Sequence, residues 1–350
     1  MSQPQDPQRP FLPFGNPFQM ILPKSSNLSP RLLSILNSFE ATMSERLESL
    51  KPKDMEDILS LSWMISAAKS LSAIHTDVKA LITSLELPVS DWDEKWIDIY
   101  LDNSVKLLDV CIAFSSEISR LNHGHLFLQC SLHNLDCATP VQFTKARSSL
   151  DGWKQHVSSK NPRLEKCSST LDNLIDTLDL PKIKNSSKGK VLMRAMYGVR
   201  LVTGFICGVL AAAFSRSADK LSDFKPPETC LWADTFTNLQ AVVHGQIRNV
   251  HSSGKVASLK ECDLVHTSVM KLYPLSLNED DPEAMRISIT DLRQRADMLS
   301  QGLDLLAKEV DGFFQIILTG RDALLGNLRV GSDMFNSTQK SNHAEGPTVR

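Results

Sequence analysis

Hydrophobic residues recur at alternating steps of three and four between residues 285 and 324, interrupted only by Gly320. A stripe that repeats every 3.5 residues is typical of a helix that lies along a second helix. The pattern predicts a helix roughly 60 Å long, packed on other helices of its own chain or on another chain. We expect packing within the chain, because the other predicted helices also need apolar partners. The stripe consists of Met285, Ile289, Leu292, Ala296, Leu299, Leu303, Leu306, Val310, Phe313, Ile317 and Leu324.

Helical periodicity extends over most of the remaining sequence. Ser29 and Pro30 form a typical helix start, and Pro52 and Pro88 end the first two predicted helices. No run of β-branched residues alternates with polar ones, so no strand is predicted. We predict an all-α fold, an elongated bundle of long antiparallel helices with disordered or extended termini. The helices are expected at about 29–50, 54–87, 90–135 with a bend at 123–125, from Pro140, from Pro162 to 180, and at 190–223, 228–252, 256–273 and 282–329.

Three regions of the chain differ in composition. Residues 1–28 are rich in proline and phenylalanine, and we expect an extended arm that docks on the helical body. Residues 29–330 form the predicted bundle, with a possible internal linker at 181–190. Residues 331–350 are polar and are expected to be disordered.

Charge and cysteine content limit the possible partners and compartments. The net charge of −2 does not imply a nucleic-acid partner. The cysteine count is odd, with seven scattered singly, which favours a reducing intracellular compartment. The N-terminal tract is a weak match to an organelle transit peptide, because it contains few basic residues. We therefore expect a cytoplasmic protein, with membrane association, the endoplasmic reticulum or the chloroplast as alternatives.

A basic stretch beside an uncharged one is the most functional-looking local feature. Between residues 181 and 218 there are seven basic residues and no acidic one, and residues 201–215 carry no charge. Residues 201–215 have three interpretations: a buried central helix, part of a basic platform on anionic lipid, or a single membrane span, for which the segment is short. A buried helix is favoured. The candidate membrane or partner contacts are Lys182, Lys184, Lys188, Lys190, Arg194 and Arg200.

Catalytic chemistry has little support in the sequence. The segment from His123 to Cys137 gathers three histidines and two cysteines, but it lacks the close ligand pairs of structural zinc sites. Residues 186–190 resemble a phosphate-binding loop in composition only, since the motif spacing is absent. We therefore predict no catalytic residue, no cofactor and no metal, and leave any small-molecule ligand open.

Longer segments carry a resemblance to a known family. Residues 10–18, 87–111, 188–199 and 300–325 resemble the plant BYPASS family over almost the whole chain. The resemblance implies a helical regulator of root and shoot development that restrains a mobile root-derived signal arresting shoot growth. It supplies no catalytic residue. We expect a non-enzymatic scaffold or adaptor with protein partners, which binds through exposed strips of its long helices. The alternatives are a membrane-associated trafficking protein linked to the exocyst and an enzyme acting on a small apolar signal precursor.

Overall fold

The computed structural model describes residues 28–86, 94–136, 139–176, 186–218, 221–253, 258–275 and 282–342. Within these ranges the secondary structure is helical, with one short 3₁₀ turn at Met55–Asp57. The all-α prediction is confirmed. The helices are α1 (Pro30–Ser49), α2 (Leu61–Leu85), α3 (Glu94–Asp136), α4 (Pro140–Ser158), α5 (Pro162–Asp176), α6 (Ser187–Ser215), α7 (Ala233–Ser252), α8 (Lys260–Leu275) and α9 (Pro282–Asn342).

Two long helices, α3 and α9, form an antiparallel pair that runs through the bundle. Their cross-contacts move in opposite directions along the two helices: Arg321 reaches Leu101 O, while Arg293 reaches Asp136. With 61 residues, α9 extends over about 90 Å. The bundle of long antiparallel helices is therefore confirmed.

The heptad on α9 is buried within this chain. From Leu292 to Leu324 every hydrophobic residue of the stripe is buried, and Met285 and Ile289 pack against its edge. The stripe contacts α2, α3 and α8. Packing of the stripe on the chain's own helices is confirmed, and the heptad needs no second chain to cover it.

Local signals placed the starts of α1, α4, α5 and α9 correctly, whereas α2, α7 and α8 begin later than predicted, at Leu61, Ala233 and Lys260. Ser29 caps α1 as predicted, with its Oγ accepting a hydrogen bond from Leu32 N. The second helix begins at Leu61 and not at Asp54, because the Ser60 side chain caps Trp63 N. The Glu261 carboxylate, from α8, also accepts a hydrogen bond from Leu61 N. The later start therefore depends on a residue two hundred positions away.

The helix does not break at His123–His125, since α3 continues to Asp136. Gly124 instead permits close approach of α4: a Cβ atom there would lie 3.3 Å from the His156 ring and 3.5 Å from Trp153. Two predicted helix ends, at 223 and at 329, also differ from the structure. The helix that contains the uncharged stretch ends at Ser215, and α9 runs past the predicted bundle limit of 330 to Asn342.

Several predictions fall on residues outside the described ranges. These are the docking of the N-terminal arm up to residue 27, the linker up to residue 185 and the polar tail after Asn342. Leu28, the first described residue, packs against the hydrophobic core.

Candidate functional site: buried charges and an exposed helical face

The six basic candidates do not share one environment in the structure. Lys182 and Lys184 lie outside the described residues. Lys188 and Lys190 lie half-buried in the first turn of α6, and Lys188 Nζ donates to Glu86 O at 3.1 Å. Arg194 and Arg200 are only 5% and 7% exposed. Their burial corrects the prediction for these two arginines, because a side chain enclosed in the core cannot contact a membrane or partner.

Arg194 is held by a carboxylate from α1. Its Nε and Nη2 donate to the two oxygens of Glu40 at 2.6 and 3.0 Å, and Nη2 also donates to Thr229 O. Glu40 accepts a further hydrogen bond from Leu231 N at 2.8 Å. Burial alone would lower the pKa of Arg194, but Glu40 leaves it raised. This bidentate pair joins α1, α6 and the segment before α7.

Arg200 lies beside a small internal cavity of about 60 Å³. Its Nη2 donates to Leu174 O at 3.0 Å, and burial lowers the pKa of Arg200 to about 10. Asn103, 8% exposed, also lines the cavity, and its Oδ1 has no hydrogen-bond partner. The cavity suits a few bound waters, since sites for drug-sized ligands are about 300–1,000 Å³.

The uncharged half of α6 is the centre of the bundle. By length and composition α6 is the one described helix that could cross a membrane. Almost all of its apolar window is nevertheless buried inside the protein. Gly198 shows how tightly it packs, because a Cβ atom there would lie 2.8 Å from the Met43 methyl group and 2.9 Å from Trp232. The structure therefore agrees with the buried-helix interpretation of 201–215.

Exposed apolar side chains follow the outer sides of α3 and α9. The two helices run side by side, because Asn122 Nδ2 donates to Asp304 Oδ1 at 2.8 Å. Leu126 lies one turn from Asn122 on α3, and Leu305 follows Asp304 on α9. We name this surface the α3–α9 face. Its apolar residues recur at steps of seven or fourteen and are Val105, Ile112 and Leu126 on α3, and Met298 and Leu305 on α9.

An acidic row accompanies these apolar residues. Asp297, Asp304 and Asp311 are exposed and recur every seven residues along α9. Lys308 is exposed between them. Because positions seven apart lie almost on one line of a helix, the three carboxylates form a negative row on α9, and two of them directly precede Met298 and Leu305. The sequence contains this spacing, although the buried heptad is the stronger pattern of the same helix.

Comparison with known proteins places the chain in a family. Protein BPS1, chloroplastic, of Arabidopsis thaliana is 51% identical over 340 residues, which cover 97% of this chain and 96% of that protein. This chain belongs to the BYPASS family. A family model described as Protein ROH1-like matches residues 23–149. No solved structure matches the chain.

Two further relatives come from rice. UPF0496 protein 4 of Oryza sativa subsp. indica is 43% identical over 293 residues, which cover 82% of this chain and 64% of that protein. The japonica protein of the same name is 42% identical over 316 residues, covering 89% and 69%. As a BYPASS-family member, the chain is a plant developmental regulator.

The described part of this BYPASS-family chain contains no group of three or more side chains suited to holding a metal ion. Cys137, one of the predicted zinc-type residues, lies outside the described ranges. His123 Nδ1 contacts Ser119 O at 2.9 Å, within its own helix, and His125 lies 2.9 Å from Gln129 Nε2. The histidine pair therefore has local helical contacts.

Proposed function

We propose that this developmental regulator acts as a non-enzymatic helical adaptor, and that its α3–α9 face binds a basic amphipathic helix of a partner protein. The observation that carries the proposal is the combination of exposed apolar residues at heptad steps with an acidic row on the same face. Apolar residues at these steps match the side-chain spacing of a second helix. The carboxylates favour lysine and arginine on its flanks.

The platform suits binding because its inner side is already packed. The inner stripes of α3 and α9 are buried in one continuous core, so the outer side chains are presented without a change of fold. Burying one exposed leucine in an interface contributes about 1.5–3 kcal/mol before the costs of association. A few such residues are enough for a moderate-affinity contact.

The test is rescue of shoot growth in a plant line that lacks its BYPASS-family protein. We expect wild-type protein to restore growth and the double variant Leu126→Lys, Leu305→Lys to fail at equal accumulation. Lysine removes the apolar contact and repels a basic helix. The matched control is Leu231→Lys, since Leu231 and Leu305 are 55% and 56% exposed and Leu231 lies outside the face. Full rescue by the double variant would exclude this face as the working surface.

Partner chemistry is tested separately with a synthetic basic amphipathic helix. We expect it to bind wild-type protein and to lose at least tenfold in affinity with the double lysine variant. An acidic peptide with the same apolar positions is the control, and equal binding of the two peptides would contradict the proposed charge match.

Membrane association through Lys182, Lys184, Lys188 and Lys190 is the other proposal that the sequence supplies. It predicts flotation with liposomes that contain anionic lipid and loss of flotation when the four lysines become glutamine.

The subcellular location of the protein is an independent question. The relative named chloroplastic makes the plastid the main rival to the cytoplasm, and a C-terminal fluorescent fusion distinguishes the two.

A further inference from the structure

A cavity lies between α3, the α4–α5 turn, the end of α6 and the start of α8, and it contains none of the apolar residues that define the α3–α9 face. It has a volume of about 400 Å³. Buried Leu164, Phe214 and Leu259 form an apolar floor. The volume falls within the range of about 300–1,000 Å³ that is usual for small-molecule sites.

Most charges in this cavity neutralise one another. Glu117 is buried, and its carboxylate accepts hydrogen bonds from Arg120 and from Asn161 Nδ2. Arg120 is also committed to His156 O and Ser159 Oγ. Lys160 lies 3.8 Å from Glu165, with both side chains largely in solvent, so this pair holds the lysine only weakly.

Arg216 is the exception. It lines the cavity half-buried, and no acidic side chain of the described residues lies within ion-pair distance of it. Its charge also acts on the thiol of Cys262, which lines the same cavity. Burial raises the pKa of the Cys262 thiol to about 12, and Arg216 is the strongest of the charges that oppose this rise.

The backbone at Arg216 is held in an unfavourable conformation. With φ 58° and ψ 31° it lies in the left-handed region, which costs a non-glycine residue of order 1 kcal/mol. Two carbonyl groups in the last turns of α6 and α4 already accept hydrogen bonds. Ala212 O accepts from the backbone N–H groups of Arg216 and Ser217, and His156 O accepts from Arg120. Among the described residues, the Arg216 charge therefore has no carboxylate partner in this partly apolar cavity.

We propose that this cavity binds a small molecule with an apolar body and one oxyanion group, such as a carboxylate or sulfonate. Arg216 is the main anchor of the oxyanion, Lys160 is a second donor at the rim, and the apolar body lies over Leu164, Phe214 and Leu259. A guanidinium group pairs well with an oxyanion because it can donate two parallel hydrogen bonds to two of its oxygens. The site is independent of the adaptor face.

The experiment compares two fluorescent probes on purified full-length protein. One is 8-anilinonaphthalene-1-sulfonate, and the other is 1-anilinonaphthalene, which lacks the sulfonate. We expect wild-type protein to bind the sulfonate at one saturable site. Arg216→Gly should weaken this binding at least tenfold and leave the neutral probe unchanged. Arg216→Lys keeps the charge but loses the two parallel hydrogen bonds, so it should weaken binding less than Arg216→Gly does.

Glycine is the informative substitution because it suits the left-handed backbone. The midpoint of thermal unfolding of Arg216→Gly should equal or exceed that of wild type, so lost binding cannot be attributed to lost folding. Arg216→Asn, which also tolerates this conformation, is a second uncharged variant, and the surface change Arg286→Gln is the charge control. Equal sulfonate binding by wild type, Arg216→Gly and Arg216→Asn, or no saturable binding by wild type, overturns the proposal.

Discussion

Two apolar helices, α6 and α9, have opposite roles in this protein. From Gly189 to Phe214 every residue of α6 except Lys190 and Met196 is buried, whatever its position around the helix. On α9 only the heptad stripe is buried, while Met298 and Leu305 stay exposed. A helix that is apolar all round belongs to the centre of a bundle, and one with a single stripe keeps an outer side for other contacts. Substitutions on α6 should therefore change stability, and those on the outer side of α9 should change binding.

The largest expected effect is on the charged pair at the start of α6. Glu40→Ala leaves the Arg194 guanidinium buried without its carboxylate, which should cost about 3–5 kcal/mol of unfolding free energy. Urea denaturation measures the loss. The control is Glu48→Ala, which removes an exposed pair with Lys51 and should cost no more than about 1 kcal/mol. Similar losses for both variants would show that the buried pair contributes no more to the unfolding free energy than the exposed pair does.

This pair also shows what could be predicted from sequence. The helices, their proline boundaries and the heptad follow from local spacing, and they were predicted. The role of Arg194 was not, because a basic residue near a lysine-rich stretch indicates a surface unless its partner is known. Glu40 lies 154 positions away and has no distinguishing local pattern. Contacts between residues far apart in the sequence could therefore not be predicted, and neither could the cavity around Arg216.

The second prediction concerns pH and the interior that α6 and α9 share. His75 of α2 lies there: its Nε2 is 3.0 Å from Thr203 Oγ1 and its ring is 5.0 Å from the Phe313 ring. Because the Thr203 hydroxyl donates to Val199 O, we assign His75 Nε2 as the donor to Thr203. Burial lowers the pKa of His75 from 6.5 to about 4.

A lowered histidine pKa means that acid favours the unfolded state, which takes up the proton first. The stability from neutral His75 is present above pH 6.5 and is lost as the pH falls towards 4. Between pH 7 and 5 the loss should be about 2 kcal/mol. His75→Gln should flatten this part of the stability profile measured by urea denaturation at each pH, and an unchanged slope would contradict the assignment.

Glycine-to-alanine changes compare the two helices with one substitution. On α6, Gly198→Ala places a methyl group against Met43 and Trp232 and should destabilise by about 1–2 kcal/mol. On α9, Gly312 has no atom within 4 Å of the added Cβ. Gly312→Ala should stabilise by about 0.5–1 kcal/mol, through helix propensity alone. Thermal unfolding gives both values, and the same sign for both variants would refute the contrast.

The smallest effect on stability should come from the outer side of α9. Leu305→Gln should change the unfolding free energy by no more than about 0.5 kcal/mol, because the side chain is already in solvent. Leu303→Ala, two residues earlier and fully buried, should cost about 2–5 kcal/mol in the same assay. A large loss for Leu305→Gln would mean that this side of α9 is covered by residues of its own chain. A negligible loss, together with weaker binding of the basic helix, would show that the leucine is kept for contact and not for folding.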